Sequence, residues 1–323
     1  MAARVFHIPL IQAEARLALS AIASSRPAEV LAAHPGMRVH GDPFALCRDP
    51  ELDLIVIPTP NESHAPLAEA ALRAGKHVVV DKPFTLDAAE AQRLVGLAAE
   101  AGKRLTVFQN RRWDGDFLTL QAVLRSGRVG RPVQLDSNFN RFRPAVQDRW
   151  RERDIPGGGI WYDLGPHLVD QAVLLFGEPQ AVRPDLAVLR DGGIAPDFAQ
   201  VTLVYDRLRV NLAASMLAAA PGPRFVLHGT AGSFVIHGLD PQEDALKAGT
   251  PAGSPGWGGG APDGEFFAAE GTVRVPRLAG DYPAFYANVA AAIAGEARPE
   301  VSPAQMLAVM RVLDSGRRSA PAA

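Results

Sequence analysis

Asp163 and His167 stand four residues apart in the stretch Gly157-Gly158-Gly159-Ile160-Trp161-Tyr162-Asp163-Leu164-Gly165-Pro166-His167. On a helix that spacing puts both side chains on one face. The stretch reads as a glycine loop running into a helix. Leu164, Leu168, Ala172 and Leu175 follow at helical spacing, and Gly177 then Pro179 stop the run. Pro166 is expected in the first turn, where its missing N–H costs little, so the pair is expected at the helix N-terminus. A carboxylate beside an imidazole, entered through a flexible loop, suits general acid/base work near neutral pH. The same pattern also describes an N-capping Asp and a buried, hydrogen-bonded His. The pair therefore takes its meaning from the rest of the chain.

The chain that must position the pair has 323 residues, 47% of them hydrophobic, which is enough for two domains with proper cores. A net charge of −2 gives no reason to expect nucleic acid or an anionic membrane as partner. Cys47 is the only cysteine, which excludes an intrachain disulfide and a multi-cysteine metal site and points to a reducing, cytoplasmic compartment. No apolar run approaches the ~20 residues of a membrane span. Glu14 and Arg16 interrupt the apolar start, which argues against a signal peptide. His7, His34, His40, His228 and His237 show no metal-ligand spacing, and no metal site is expected.

Residues 16–24, 37–40, 52–57, 76–80 and 104–108 read as strands, and 27–33, 43–47, 63–74 and 86–101 as helices or helical turns. Strands as solid apolar runs alternating with helices predict a parallel sheet covered on both faces. Ligands of such sheets sit at the carboxyl ends of the strands. The polar residues there are Ser24-Ser25-Arg26, Thr59-Pro60-Asn61, Asp81-Lys82-Pro83 and Gln109-Asn110-Arg111. After Asp114 the pattern changes. One helix, 117–125, is followed by longer alternating strands at 133–142, 185–189, 199–205, 208–215, 225–229, 234–237 and 272–275, with Asp206-Arg207 as a tight hairpin turn. This predicts a second, mostly antiparallel sheet carrying the Asp163 helix on one face. A Gly/Pro-rich loop, 249–264, holds Trp257, and helices at 283–294 and 303–316 close the chain. The expected domains are residues 1–113, which bind a dinucleotide, and 114–323, which bind substrate and support oligomerisation, with the last helices free to pack back on the first domain.

Asp81-Lys82-Pro83, joined to Asp163-Leu164-Gly165-Pro166-His167, resembles the Gfo/Idh/MocA family of nicotinamide-dependent sugar and polyol dehydrogenases over nearly the whole chain. The family usually has Glu where Asp81 stands. Within the family the chain is similar to the NADP-dependent scyllo-inositol dehydrogenase group, through Gln109-Asn110-Arg111-Arg112-Trp113-Asp114, Asn140-Arg141-Phe142-Arg143-Pro144 and Gly238-Leu239-Asp240-Pro241-Gln242-Glu243-Asp244. The resemblance implies an α/β fold, a Rossmann-type parallel sheet plus an α+β domain with a large, mostly antiparallel sheet. It implies hydride transfer between NADP(H), with NAD as second choice, and a secondary alcohol of a cyclic polyol or sugar. The oligomers it implies, a homodimer or homotetramer, are built through the second sheet.

In that chemistry the cofactor does the redox work and the protein orients it and places a base. His167 is the candidate base, and Asp163 would orient it, bond a substrate hydroxyl, or both. The resemblance makes Lys82 the cation that bonds the reacting oxygen, although position alone would also allow a solvated strand-end lysine. It implies cofactor contacts from Thr59, Pro60, Asn61, His64, Lys82, Pro83 and Asn110. Capping explains Asn61 equally well. Ala23 is followed by Ser24, Ser25 and Arg26 where an NAD-selecting fold would place an acid, so these residues are expected to hold a 2′-phosphate. Arg111 and Trp113 are candidates for substrate, with a domain-bridging salt link the alternative for the arginine. Asn140 alternates with Arg141 on a strand, so only one of them points inward. Tyr162 faces the sugar ring or packs in the core.

The chain opens Met1-Ala2-Ala3-Arg4-Val5-Phe6-His7, and its first glycine is Gly36. This resembles the family sequence from just after the second glycine of the phosphate-binding turn. The first strand and two glycines are absent, and a true start about 15–20 residues upstream is expected. The alternative to an upstream start is a diverged branch of the family with a natural short start and a rearranged sheet, and the alternative to the dehydrogenase is a non-catalytic sugar- or nucleotide-binding or structural relative, inactive because that turn is missing.

Overall fold

Apolar runs bounded by polar turns become short parallel strands in the first half of the chain, and longer alternating runs become an antiparallel sheet in the second. The computed structural model describes residues 2–220 and 222–318. The chain divides into two units. The first comprises residues 1–108, 245–254 and 282–306, and the second 109–244, 255–281 and 307–323.

The first unit opens on a helical segment, π-helical over Ala3–His7 and continuing as α1, Ile8–Gln12. Then follow β1 (Ala21–Ala23), α2 (Pro27–Ala33), β2 (Arg38–His40), α3 (Pro43–Cys47), β3 (Leu54–Ile57), α4 (His64–Arg73), β4 (His77–Val80), α5 (Ala88–Glu100) and β5 (Leu105–Val107). Asp42 and Asp87 accept backbone N–H bonds as N-caps of α3 and α5. All strand pairs are parallel, in a Rossmann-like arrangement that is split into two sheets, β1-β2 and β3-β4-β5. The strand expected over 16–24 shrinks to three residues, because among the described residues β1 finds a partner only along β2. Val78, Val79 and Val80 are 1% exposed or less, covered on both faces as a central parallel strand should be. Phe108, Phe285 and Tyr286 form an aromatic cluster with edge-on contacts, Phe108 to Phe285 at 4.9 Å between centroids.

The second unit continues with α6 (Gly115–Arg125), β6 (Pro132–Asn138), α7 (Gly159–Phe176), β7 (Ala181–Ala187), β8 (Phe198–Val204), β9 (Arg209–Ser215), β10 (Pro223–Gly229) and β11 (Ser233–His237). A short α8 (Gln242–Lys247), then β12 (Gly264–Ala268), β13 (Gly271–Val275), α9 (Pro283–Ile293) and α10 (Pro303–Arg318) complete the chain. The eight-stranded sheet runs β13-β12-β11-β10-β6-β9-β8-β7 and is antiparallel except for β6 with β9. The Asp206-Arg207 hairpin forms, with Val204 opposite Arg209. α6 and α7 pack on this sheet, α6 against β10 and β11 and α7 against β8 and β9. A polar ladder runs across β6, β9 and β8. Gln134 donates to Asp136, Asn211 donates to Asp136, and Thr202 donates to Asn211. β12 was not expected, because Gly264 begins it directly out of the Gly/Pro-rich loop. That loop is anchored, for Trp257 Nε1 donates to Gln242 Oε1 at 2.7 Å. Among the described residues no helix is long and apolar enough to cross a membrane, and no cluster of His, Cys, Asp and Glu could hold a metal ion.

Cys47 is 1% exposed and its thiol lies 3.6 Å from the Leu67 carbonyl oxygen. Burial pushes the thiol up to about 11, against a smaller opposing effect of Arg48. The thiolate is the reactive form, so native protein at pH 8 should resist iodoacetamide while urea-unfolded protein labels fully. Complete labelling of the native chain within minutes, followed by mass spectrometry, would contradict this burial.

Candidate active site

The polar residues at the strand ends of the first unit fall into three loops. After β1, Ser24 donates its backbone N–H to the His40 carbonyl, and its hydroxyl accepts the Arg26 N–H at 3.0 Å. Ser25 is exposed. The Arg26 side chain is 73% exposed and meets Glu29 at 3.3 Å, a loose pair that solvent screens. After β3, the Ser63 hydroxyl lies 2.6 Å from both Thr59 Oγ1 and the Pro60 carbonyl oxygen, and Asn61 is buried. His64 is 1% exposed. Its Nδ1 lies 2.8 Å from the Pro83 carbonyl and its Nε2 2.9 Å from the Thr59 carbonyl, so the ring clamps the second loop to the third. Neither ring nitrogen is left over for a ligand, which the sequence did not foretell.

After β4 the backbone of Asp81 donates to Ile57, and Lys82 N–H donates to the Asp81 carboxylate at 2.8 Å. The Lys82-Pro83 bond is cis. Lys82 is half-buried. Beneath it lies a set the sequence did not pair. His7 Nδ1 is 2.7 Å from the Tyr286 hydroxyl, and His7 Nε2 is 3.8 Å from Asp81 Oδ2, beyond hydrogen-bond range. Burial alone would raise the Asp81 carboxyl, but His7, Lys82 and His64 outweigh it and hold the group below its ordinary range. Burial, with Asp81 adding to it, pushes the Tyr286 phenol well above its ordinary value. His7 and Tyr286 are 279 positions apart, and no local pattern in the sequence links them.

In the second unit the glycine run does lead into a helix, but the helix begins earlier than expected. Gly159, at φ +80°, is its first residue, and Ile160 N–H donates to the Pro196 carbonyl at 2.7 Å. A side chain at Gly159 would be strained in that conformation and would press on Pro196. Pro166 therefore lies inside α7, not in its first turn, and cannot donate to the Tyr162 carbonyl. Asp163 and His167 stand in the second and third turns, away from the helix N-terminus. The expectation erred because Ile160, Trp161 and Tyr162 are all buried and extend the helical run backwards to the glycines. Trp161 is a core residue whose Nε1 donates to the Leu313 carbonyl, and Tyr162 is 4% exposed.

Asp163 lies between two guanidiniums, Arg141 at 3.5 Å and Arg151 at 3.4 Å. It borders a cavity of about 30 Å³, also lined by Arg143, Arg149, Arg151 and Arg190. That is room for about two waters. Burial draws the Arg141 guanidinium below its ordinary value and Asp163 opposes the change. Arg151 carries no sequence signal, since it sits in a single 3-10 turn, Trp150–Glu152, too short to show a period. Asn140 is half-buried beside Phe139, over whose ring Arg141 lies at 5.2 Å. His167 is 5% exposed.

Asp170 and Gln171 continue the face of α7 that carries Asp163 and His167. Arg112 closes on both oxygens of Asp170 at 2.7 Å, and Gln171 donates to the Arg111 carbonyl at 2.8 Å. Arg111 is 6% exposed, with its guanidinium held by Asp114 and Glu243. These arginines make their salt links inside the second unit. Asn110 is buried, and Trp113 is half-buried with its carbonyl accepting from Gln242 Nε2 and Asp281 N–H. Asp170→Ala removes the carboxylate that two Arg112 donors share, and should cost about 3–5 kcal/mol in urea unfolding. A loss below about 1 kcal/mol would mean the pair does not hold this helix.

Residues 1–109 match the model described as "Oxidoreductase family, NAD-binding Rossmann fold", and residues 122–322 match "Oxidoreductase family, C-terminal alpha/beta domain". The chain is 47% identical to the oxidoreductase YdgJ of Escherichia coli, over 99% of this chain and 93% of that protein. It is 35% identical to the scyllo-inositol 2-dehydrogenase (NADP(+)) IolW of Bacillus subtilis, over 98% and 90% respectively. The crystal structure of an oxidoreductase from Klebsiella pneumoniae superposes with a TM-score of 0.93 at 43% identity, covering 99% of this chain and 90% of the other.

Proposed function

Because the chain belongs to the Gfo/Idh/MocA family of oxidoreductases, we propose that it is an NADP(H)-dependent dehydrogenase acting on a secondary alcohol of a cyclic polyol or sugar, of the scyllo-inositol kind. The single observation that carries this reading is the order imposed on one face of α7. Asp163 and His167 share it with Asp170, and the Arg112–Asp170 pair fixes that face. The relative IolW, named for scyllo-inositol and NADP, supports the substrate class and the cofactor.

The strand-end residues fit a nicotinamide dinucleotide at two points. Ser24, Ser25 and the exposed Arg26 offer hydroxyls and a guanidinium to a 2′-phosphate, with no acid following Ala23. Thr59, Pro60 and Asn61 and the cis-linked Lys82-Pro83 form the adjoining loops, held together by His64. When bound, the nicotinamide supplies the two-electron redox chemistry. His167 takes the hydroxyl proton of the alcohol, its imidazole suiting transfer near neutral pH. The Lys82 ammonium bonds the reacting oxygen and lowers the cost of its developing negative charge. Asp163, braced by Arg141 and Arg151, accepts from a second substrate hydroxyl. Tyr162 precedes Asp163 on α7, and Asn140 precedes Arg141, which pairs with Asp163; both are assigned to the substrate side. The oligomer is a homodimer or homotetramer formed through the second unit's sheet, and light scattering across the micromolar range tests it, a monomer refuting it.

A screen of inositols and aldoses with both cofactors, read by nicotinamide absorbance, tests the reading. Turnover with a cyclic polyol or sugar and NADP is expected, and no turnover with any of them would remove it. His167→Ala and Lys82→Ala should each lower turnover by roughly 10²–10⁴ with the fold retained. Near-normal rates in a folded His167→Ala protein would take that residue out of the mechanism.

Cofactor choice has its own check. Arg26→Ala should raise the KM for NADP and leave that for NAD unchanged, since only the former carries the 2′-phosphate. Equal efficiency with NAD and NADP in the unmodified enzyme would count against the role given to Ser24, Ser25 and Arg26.

A further inference from the structure

Asp163 borders the cavity of about 30 Å³ at the start of α7, and the charges around that cavity do not balance. Arg190 closes on Asp197 at 2.9 Å and on Glu152 at 3.1 Å, and Arg149 takes the other oxygen of Glu152 at 2.9 Å. Those two guanidiniums are matched by two carboxylates. Asp148 is taken by Arg153 at 2.9 Å. Arg141 and Arg151, by contrast, share the single carboxylate of Asp163, at 3.5 and 3.4 Å. Both separations exceed the 2.7 Å at which Arg112 closes on Asp170. Arg143 lines the same cavity, and among the described residues no carboxylate pairs with its guanidinium. Three guanidiniums thus stand around one carboxylate. Burial draws the Arg141 guanidinium down, and the like charges of Arg143 and Arg111 add to that effect.

We propose that this cavity is the subsite for an anionic group of the substrate, and that the substrate is a sugar acid, a ring polyol that carries a carboxylate besides its secondary alcohols. Arg143 and Arg151 hold the carboxylate, and Asp163 holds a hydroxyl. This rests on the reading of Asp163 and His167 as the substrate face of α7. Asp163 repels a second carboxylate, but the three guanidiniums outweigh it. The size of the cavity selects the group. Room for about two waters is room for the two oxygens of a carboxylate, and a phosphoryl group needs space for a third. The arginines are also set to receive a planar anion. Arg151 lies over the Trp150 ring at 4.6 Å and Arg141 over the Phe139 ring at 5.2 Å. Stacking of that kind fixes the plane of a guanidinium and leaves its N–H edges for a fork-like pair with a carboxylate. Gly159 and Ile160, the first residues of α7, line the cavity as well, and the start of a helix favours negative charge. A neutral sugar would occupy the hydroxyl side alone and leave the surplus positive charge unanswered.

Matched sets of compounds separate this subsite from the dehydrogenase reading. One set is glucose, glucuronate and glucose phosphorylated at its primary hydroxyl, and the other is the same three forms of galactose. Each compound is assayed with NADP on the full chain and is also titrated by tryptophan fluorescence, since Trp150 lies against Arg151. At least one uronate should show a kcat/KM roughly tenfold or more above that of its neutral hexose, with the difference in KM. Arg143 is exposed, and its backbone N–H bond to the Met216 carbonyl survives substitution, so Arg143→Gln keeps the fold. That variant should shrink the ratio of acid to neutral sugar by roughly tenfold and weaken uronate binding to the same degree. Equal kcat/KM for acid and neutral sugar would overturn the subsite and leave the dehydrogenase reading standing. Preference for the phosphate ester over the uronate would overturn the assignment to a carboxylate. Should no compound be turned over, the fluorescence titration decides. Uronate binding that Arg143→Gln weakens roughly tenfold upholds the subsite, and binding that is absent, or that the variant leaves unchanged, overturns it.

Discussion

The Arg112 guanidinium closed on Asp170 is the interaction on which the second unit depends. Both groups are buried, 3% and 2% exposed at the side chain, and a buried charge is tolerable only when it is paired and hydrogen-bonded. The pair belongs to a wider set. Arg111 holds Asp114 and Glu243, Arg277 holds Asp116, and Arg224 donates to Ser137 and Gln171. Burial pushes the Asp116 carboxyl upward and draws the Arg224 guanidinium downward, with the facing opposite charges resisting both changes. Asp170 and Gln171 are the α7 members of this set, one turn beyond His167. A helix gripped there cannot rotate about its axis, so the direction in which Asp163 and His167 project is set by residues that need never touch a ligand.

The first unit meets a different constraint. Parallel strands end together, and their final loops must satisfy backbone groups that no longer have a ladder. His64 does this for two loops at once, and Ser63, Asp42 and Asp87 do it elsewhere. The polar residues that result are crowded at one end of the sheet, where α/β folds take ligands. His7 adds a link of another kind. It joins Tyr286, from the closing helices, to the side of Asp81 beneath Lys82. The Asp81 carboxylate in the Lys82 loop is thus held partly by His7, from the start of the chain.

Much of this was legible in the sequence because it is periodic or locally punctuated. The apolar runs at Val78–Val80 and Leu54–Ile57 could be read as buried parallel strands, and the alternation through Ala199–Leu203 as half of a two-sided sheet. The Asp206-Arg207 hairpin carried its own turn signal. The family could be read from Asp81-Lys82-Pro83 and the run ending at His167, and both family models match. Residue types at fixed spacing also nominated Asp163, His167 and Lys82, because acid, imidazole and ammonium are the groups that proton and hydride chemistry requires.

Other features exist only once the chain is folded. The start of α7 at Gly159 depends on the Pro196 carbonyl and on burial of Ile160 to Tyr162, so Pro166 lies inside the helix where the local pattern had put it at the start. Arg111 pairs with Glu243, Arg112 with Asp170 and Asp163 with Arg141, at separations wider than any window over which a period is read. His64 had read as a ligand contact and became a clamp because two carbonyls happen to converge on its ring. The sequence determined which segments form strands and helices and which chemistry the polar residues could perform, since both follow from side-chain type and period. Only the tertiary structure decided which charges pair, how α7 is turned and where the parallel sheet is left open, since those depend on distances between residues far apart in the chain.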